Sequence, residues 1–221
     1  MFGDFNTDEN YTGGFLTGAH LTFRETDRYL FGAFAGGGKV FFASTDDDAY
    51  TQWLVGVEGQ AYFGNMTLFG QAGISGVESN VSTSHNVIDE AFFLRGVARQ
   101  YMNYGDTKLE GELGWASGVN DNGLPGTTTD DVDVFWWGGE VEHAVTSFGD
   151  DSFLSVFGRY DGYYAHETIA GSDDEMAIAH VFMAGVRIDL NRANPLARER
   201  SGVAVDMPNM TRINGNSRLI D

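Results

Sequence analysis

Cysteine is absent from the chain, and proline occurs only 3 times in 221 residues. Without cysteine there is neither a disulfide framework nor thiol chemistry. Long apolar runs are also missing, because a glycine or a polar residue interrupts every stretch of a few hydrophobic residues. A transmembrane helix needs about 20 consecutive apolar residues, so the sequence predicts none. Basic residues are scarce, and the net charge of −19 argues against nucleic acid as a partner because its phosphates would be repelled.

Motifs for catalysis and metal binding are missing as well. The chain has no Gly-x-Ser-x-Gly, phosphate loop or zinc motif, and its five histidines do not occur at metal-ligand spacing. We therefore predict no enzymatic activity, no cofactor and no metal. Acidic runs such as Asp46–Asp48 leave calcium as an alternative to solvated loop acids, because calcium binds several carboxylate oxygens.

The sequence does contain a clear alternation with a period of two. From Thr51 to Phe63 every second residue is apolar apart from the first, and the residues between are mostly polar. After Gly64 and Asn65 the alternation restarts at Met66. Successive side chains of a strand point to opposite faces, so this stretch predicts a hairpin with one apolar and one polar face. Each arm has roughly ten or more residues, enough for a tilted strand to cross a bilayer.

The same unit repeats along the chain and predicts nine strands. Their ranges are 11–24, 28–44, 50–63, 66–76, 91–102, 107–117, 132–145, 152–164 and 176–190. Short connections at 25–27, 64–65, 104–106 and 148–151 alternate with longer ones at 45–48, 78–90, 118–131 and 165–175. All short turns would therefore lie at one end of the sheet. This asymmetry is typical of transmembrane barrels, which have short periplasmic turns and long extracellular loops.

The two faces of the strands predict a membrane barrel with charges inside. Such a barrel turns its apolar face toward lipid. The predicted luminal charges are Glu58, Arg95, Arg99, Glu110, Glu112, Glu140, Glu142, Arg159, Asp161, Arg187 and Asp189. The predicted lipid-facing and girdle residues are Phe42, Trp53, Val55, Val57, Phe63, Phe92, Leu94, Trp115, Phe135, Trp137, Tyr160 and Tyr164. We expect Arg95 and Arg99 to pair with glutamates, because an unpaired buried charge is costly. Their candidate partners are Glu58, Glu110 and Glu112.

The second strand carries two further expectations. The alternation within 28–44 places Leu30 on the outer face and Lys39 on the inner face. The run Gly36–Gly38 predicts a bend or a bulge, because glycine weakens the interior of a straight strand.

The repeated unit resembles the small outer-membrane β-barrel proteins of Gram-negative bacteria, the porin-like or outer-membrane β-barrel families. The resemblance covers residues 11–190 and rests on an amphipathic strand, a Gly-Asn or Gly-Asp turn and a second amphipathic strand. An example is Val55-Gly-Val-Glu-Gly-Gln-Ala-Tyr-Phe-Gly-Asn-Met-Thr-Leu-Phe-Gly. It implies an all-β, antiparallel up-and-down transmembrane barrel of eight to ten strands in the bacterial outer membrane. Outer-membrane lipid and the barrel-assembly machinery would be its partners. The motif is architectural and assigns no functional residue.

Two features depart from that class. Its barrels usually have an even number of strands and end in an aromatic residue, whereas nine strands are predicted here and the last residue is Asp221. We therefore expect a tenth strand that begins before Met1 and ends at about Phe2 to Phe5, within a polar segment 1–10. The alternative is that the tail 191–221 closes the sheet. That tail is polar and is expected to be periplasmic, with one short strand at 203–207 as an option.

Three functions are left open by the sequence. The first is an integral outer-membrane barrel with a structural or surface-exposed role and a charged, largely filled lumen. The second is the same barrel acting as a small pore for ions or small solutes. The third is a soluble or periplasmic barrel that binds a small apolar ligand. Dependence on detergent separates the third function from the others, and single-channel conductance separates the first two.

Overall fold

Long antiparallel strands make up most of the chain. The computed structural model describes residues 2–3, 12–25, 27–42, 49–79, 88–120, 130–148, 152–168, 175–190, 193–201 and 206–208. The strands are β1 (Phe2–Gly3), β2 (Thr12–Glu25), β3 (Tyr29–Phe42), β4 (Ala49–Phe63), β5 (Met66–Ser79), β6 (Ile88–Met102), β7 (Thr107–Asn120), β8 (Asp130–Phe148), β9 (Ser152–Thr168) and β10 (Glu175–Asp189). Each strand pairs with the next in an antiparallel meander, and helix α1 (Pro195–Ser201) follows. The predicted all-β antiparallel meander is confirmed.

Strands β4 to β9 extend further than the side-chain alternation predicts, whereas β3 is shorter than its predicted range 28–44. β8 continues to Phe148 and β9 to Thr168, beyond the predicted ends at 145 and 164. Backbone hydrogen bonds do not depend on the polarity of the side chains, so pairing continues past the apolar band. Three of the longer connections shorten to 80–87, 121–129 and 169–174, and the first lengthens to 43–48. They still alternate with short connections at 26–28, 64–65, 103–106 and 149–151. The sheet therefore has a short-turn end and a long-loop end.

The sheet is strongly curled around one face. The rings of Phe34 on β3 and Phe93 on β6 lie 6.3 Å apart, although three strand spacings in a flat sheet would separate them by about 14 Å. One face is thus concave and the other convex. Among the described residues, no ladder joins β10 to β1 or β2. Val181 and Met183, on the concave face of β10, are 49% and 43% exposed. The curled meander is open along β10.

Near the long-loop end the concave face carries an apolar core. Its buried residues are Phe34, Leu54, Ile88, Ala91, Phe93, Ala116, Val132, Val134, Trp136, Tyr163 and Ala165. Several aromatic rings pack against a glycine directly opposite on a neighbouring strand. Trp136 faces Gly114 in this way, and Phe93 faces Gly73. The missing side chain provides the space that each ring fills, so these glycines are a packing requirement.

We expect Gly114→Ala to lower the free energy of unfolding by about 1–3 kcal/mol through overpacking. The added Cβ would lie 1.9 Å from Cε2 of Trp136, and Trp136 is enclosed in the core. Gly111→Ala on the same strand is the matched control, because its Cβ would meet nothing within 4 Å. Equilibrium unfolding in urea should lower the midpoint for Gly114→Ala alone. Equal midpoints for the two variants would contradict this packing.

The two faces of β3 are the reverse of the prediction. Leu30 is 2% exposed on the concave face, whereas Lys39 is exposed on the convex face. Leu30 lies directly opposite Gln60 of β4, and directly opposed residues share a face. Because Gln60 is buried inside, Leu30 must point inside as well. Of the bend or bulge predicted at Gly36–Gly38, the bulge is wrong, since β3 pairs with β2 and β4 in continuous register.

Candidate functional site: the charged half of the concave face

Two arginines of β6 begin an ion-pair network in the half of the concave face near the short-turn end. Arg95 forms a bidentate pair with Glu112 of β7, with Nε–Oε1 at 3.0 Å and Nη2–Oε2 at 3.1 Å. Nε of Arg99 lies 2.8 Å from Oε2 of Glu110, the residue directly opposite. All four side chains are buried. These are the partners that the sequence predicts for the two arginines.

Glu142 of β8 is the most enclosed carboxylate of the network, with 0% of its side chain exposed. Its Oε2 lies 2.5 Å from Nη1 of Arg187 on β10 and 3.5 Å from Nζ of Lys108 on β7. Its Oε1 accepts a hydrogen bond of 2.7 Å from the hydroxyl of Ser155. A carboxylate this deeply buried depends on such partners, because an isolated buried charge is strongly unfavourable.

Arg159 of β9 connects the two groups of ion pairs. Its Nε lies 2.9 Å from Oδ2 of Asp161, and its Nη2 lies 3.2 Å from Oε2 of Glu112. Nζ of Lys108 lies 2.7 Å from Oε1 of Glu140. The network therefore runs without a break from β6 to β10. Such a connected set of charges holds five neighbouring strands in one arrangement.

The structure places the predicted site residues on two opposite faces. All eleven predicted luminal charges lie on the concave face. Glu58 contacts His20 there, and each of the other ten has a partner of opposite charge. On the convex face lie Trp53, Val55, Val57, Phe63, Phe92, Leu94, Trp115, Phe135, Trp137, Tyr160 and Tyr164. The side chain of Phe42 lies outside the described residues.

After β10 the chain turns back onto the concave face. We call residues 193–208 the C-terminal segment, of which 193–201 and 206–208 are described. Asn194 caps α1, because its Oδ1 accepts the N–H of Ala197 at 2.8 Å, and Pro195 occupies the first helical position, where it is favoured. The helix lies at the short-turn end, where Nη2 of Arg200 donates to the carbonyl of Gly64 at 2.7 Å.

Arg198 joins the C-terminal segment to the centre of the network. Its Nη2 lies 2.6 Å from Oε2 of Glu142, and its Nη1 lies 2.7 Å from Oδ2 of Asp189. Burial lowers the pKa of the Arg198 guanidinium, but the carboxylates of Glu142 and Asp189 raise it by more, so this pKa lies above its usual value. The helix therefore contributes a permanent cation to a site that is rich in glutamate.

Two acidic residues of the C-terminal segment occupy the opposite side of the site. Nη1 of Arg99 lies 3.1 Å from Oε1 of Glu199, and Nη2 of Arg99 contacts the Asp206 carboxylate. The backbone carbonyl of Asp206 accepts a 2.8 Å hydrogen bond from Nε2 of Gln71. The segment thus presents both signs of charge, each to its complement on the sheet.

Met207 reaches the middle of β2 and β3. Its Sδ lies 2.9 Å from Nε2 of His20, whose Nδ1 lies 2.8 Å from Oε1 of Glu58. A Cβ on Gly18 or Gly36 would lie 2.6 Å or 2.5 Å from Cε of Met207. This packing gives Gly36, part of the run predicted to form a bend or a bulge, a different role. The missing side chain of Gly36 leaves room for Met207 of the C-terminal segment.

The sequence alone misses several members of the site. Lys108 could have been predicted from the alternation, because it lies on the same face of β7 as Glu110 and Glu112. The C-terminal segment has no alternation, so no local signal places it against the sheet. Its charged contacts join residues as far apart as Arg99 and Asp206. They are consequences of the curled fold.

Outside this network the described residues offer no metal site and no membrane helix. They contain no group of three or more His, Cys, Asp or Glu that could hold a metal ion. The acidic run Asp46–Asp48 lies outside the described residues. No helix among those described is long and apolar enough to cross a membrane. Comparison of the chain with protein-family models, with curated proteins and with solved structures found no match.

Proposed function

We propose that the chain is an integral barrel of the bacterial outer membrane, with a structural or surface-exposed role and a charged, largely filled interior. The observation that carries this proposal is the inverted distribution of polarity. The convex face exposes 60% of Val57, 70% of Leu113 and 79% of Phe182, while ion pairs such as Arg99–Glu110 are buried. Exposing so large an apolar surface to water is unfavourable, whereas lipid favours it.

A bilayer also requires that the sheet be closed, because unpaired backbone groups are not tolerated in hydrocarbon. In the meander β2 and β10 run in the same direction, so one antiparallel strand fits between them. β1 pairs with β2 on the side away from β3, where Phe2 and Gly3 lie opposite Gly14 and Gly13. We propose that a strand at the β1 position joins β2 to β10. The barrel would then have ten strands, an even number, as is usual in bacterial outer membranes.

The contents of the concave face support this function over the two alternatives. A carrier for a small apolar ligand needs an apolar interior cavity, and here one half holds ion pairs and the other a packed core. A pore needs an unobstructed interior, and the C-terminal segment lies across it. A groove of about 720 Å³ does exist, but it lies on the convex face, where its lining includes Val57, Gly70 and Leu94.

Extraction tests the membrane assignment directly. We expect the protein to leave membranes only in detergent and to fold into phospholipid vesicles. Unheated folded samples should migrate differently from heated ones on gels, and the heated sample serves as the unfolded control. A monodisperse, folded monomer in detergent-free buffer would overturn the proposal.

Single cysteines test the orientation, and the absence of native cysteine makes the labelling unambiguous. We expect a membrane-impermeant maleimide to label Gly123→Cys, in a longer connection, on intact cells. Asn65→Cys lies in a short turn and should react only after the outer membrane is permeabilised, because short turns are periplasmic in this class. The reverse labelling pattern would contradict the orientation.

A further inference from the structure

The charged half of the concave face has the features of a peptide-binding site. We propose that it is an exchangeable site whose occupant in this structure is the chain's own C-terminal segment. On release of that segment, the site would accept a separate peptide with the same pattern of one arginine and two carboxylates. Its location inside a membrane barrel rests on the proposed function, but the binding itself does not.

The contacts of the C-terminal segment with the sheet are mainly ion pairs and hydrogen bonds. Arg198 binds Glu142 and Asp189. Glu199 and Asp206 bind Arg99. Once the segment leaves the sheet, water can solvate its Arg198, Glu199 and Asp206 side chains. The recognition is nevertheless specific, because the bidentate contact between Arg198 and Glu142 depends on orientation as well as on charge.

Two buried charges of the sheet that bind the C-terminal segment also have ion-pair partners within the sheet. Arg99 keeps Glu110 as a partner, and Glu142 keeps Arg187 and Lys108. Release therefore strands neither of these deeply buried charges, which is the event that makes the loss of a buried ion pair costly. Asp189 does lose Arg198, but it is partly exposed, with 17% of its side chain accessible.

The sheet residues near Met207 and Asp206 also keep partners when the C-terminal segment is released. His20 keeps Glu58 when Met207 leaves, and Glu58 also accepts a 3.2 Å hydrogen bond from Nε2 of Gln71. Arg95 keeps both contacts with Glu112. The site is thus built from residues that already pair with one another, and the segment is an additional layer on it.

The release of the C-terminal segment from the sheet can be measured in detergent micelles by the reactivity of a buried cysteine. Pro208 is buried within the segment, so Pro208→Cys should react slowly with a maleimide. Adding Arg198→Glu should raise that rate by at least about tenfold, because two ion pairs become repulsions. The control Arg28→Glu makes the same charge change in an exposed pair and should leave the rate unchanged. Asn65→Cys should react rapidly in all backgrounds.

A fluorescent peptide with the sequence of residues 193–208 tests the exchange. We expect it to bind the full-length Arg198→Glu variant at least about tenfold more tightly than the unaltered chain, whose own segment competes. A scrambled peptide should not bind. The double variant Glu199→Gln/Asp206→Asn changes the segment alone and replaces Arg198→Glu if that variant does not fold.

Slow labelling of Pro208→Cys in folded variants, or failure of the peptide to bind them, would overturn the proposal. The segment would then be a fixed part of the core. Both measurements are made in micelles, so this failure is distinct from failure to insert into vesicles, which would refute the membrane function.

Discussion

Replacing Glu142 by alanine should lower the free energy of unfolding by about 3–5 kcal/mol, the range typical when a buried ion pair loses one partner. Glu142 has no exposed side-chain surface and lies within 3.5 Å of cations from three different elements, namely Lys108, Arg187 and Arg198. Its removal would leave these cations close together with one carboxylate fewer. Equilibrium unfolding in urea, followed by tryptophan fluorescence, measures the loss.

The exposed pair Arg28–Glu25 provides the control for Glu142→Ala. Its atoms are 3.1 Å apart, but 73% and 42% of the two side chains are exposed, so Glu25→Ala should cost at most about 1 kcal/mol. The double variant Glu142→Ala/Arg198→Ala should recover part of the loss, because it removes one of the three cations that lie close together around the lost carboxylate. A similar cost for Glu142→Ala and Glu25→Ala would show that the network does not stabilise the fold.

The strands could be predicted from the sequence because each has two chemically different faces. The alternation through β4 and β5 reports directly on which residues point inward, as Val57 and Glu58 illustrate with 60% and 5% exposure. On β3 the alternation does not distinguish the two faces, because Tyr29, Leu30 and Phe31 make both of them aromatic or apolar. There the facing is set by pairing with β4. The register with β4 assigns the β3 residues to the correct faces.

Half of the candidate site could be predicted and half could not, for a physical reason. Arg95 and Arg99 are two periods of the alternation apart, so they lie on the same face of β6 and next to glutamates on the adjacent strand. The local pattern is therefore enough to predict these ion pairs. The contact between Arg198 and Glu142 joins a helix to a strand 56 residues earlier. Only the curl of the sheet brings them together. The sequence shows that the C-terminal segment is charged, but not that this charge complements the concave face.

A second large effect is expected on the convex face. Val57→Arg should lower the free energy of unfolding in phospholipid vesicles by about 2–4 kcal/mol, the cost of arginine at the bilayer midplane of a β-barrel. Val57 lies near the middle of β4 and is 60% exposed on the face opposite Glu58. Urea-dependent folding into vesicles measures this difference.

Depth distinguishes lipid exposure from simple loss of an apolar residue. Phe63 lies on the same face of the same strand and is 57% exposed, but it is the last residue of β4, beside the Gly64–Asn65 turn. Arginine there should cost only about 0–1 kcal/mol for the charge, because it can reach the interface. In detergent micelles the gap between the two variants should narrow, since a micelle has no fixed hydrocarbon thickness. If Val57→Arg folds into vesicles as readily as Phe63→Arg, the convex face does not meet the bilayer centre at Val57, and the inverted polarity needs another partner to cover it.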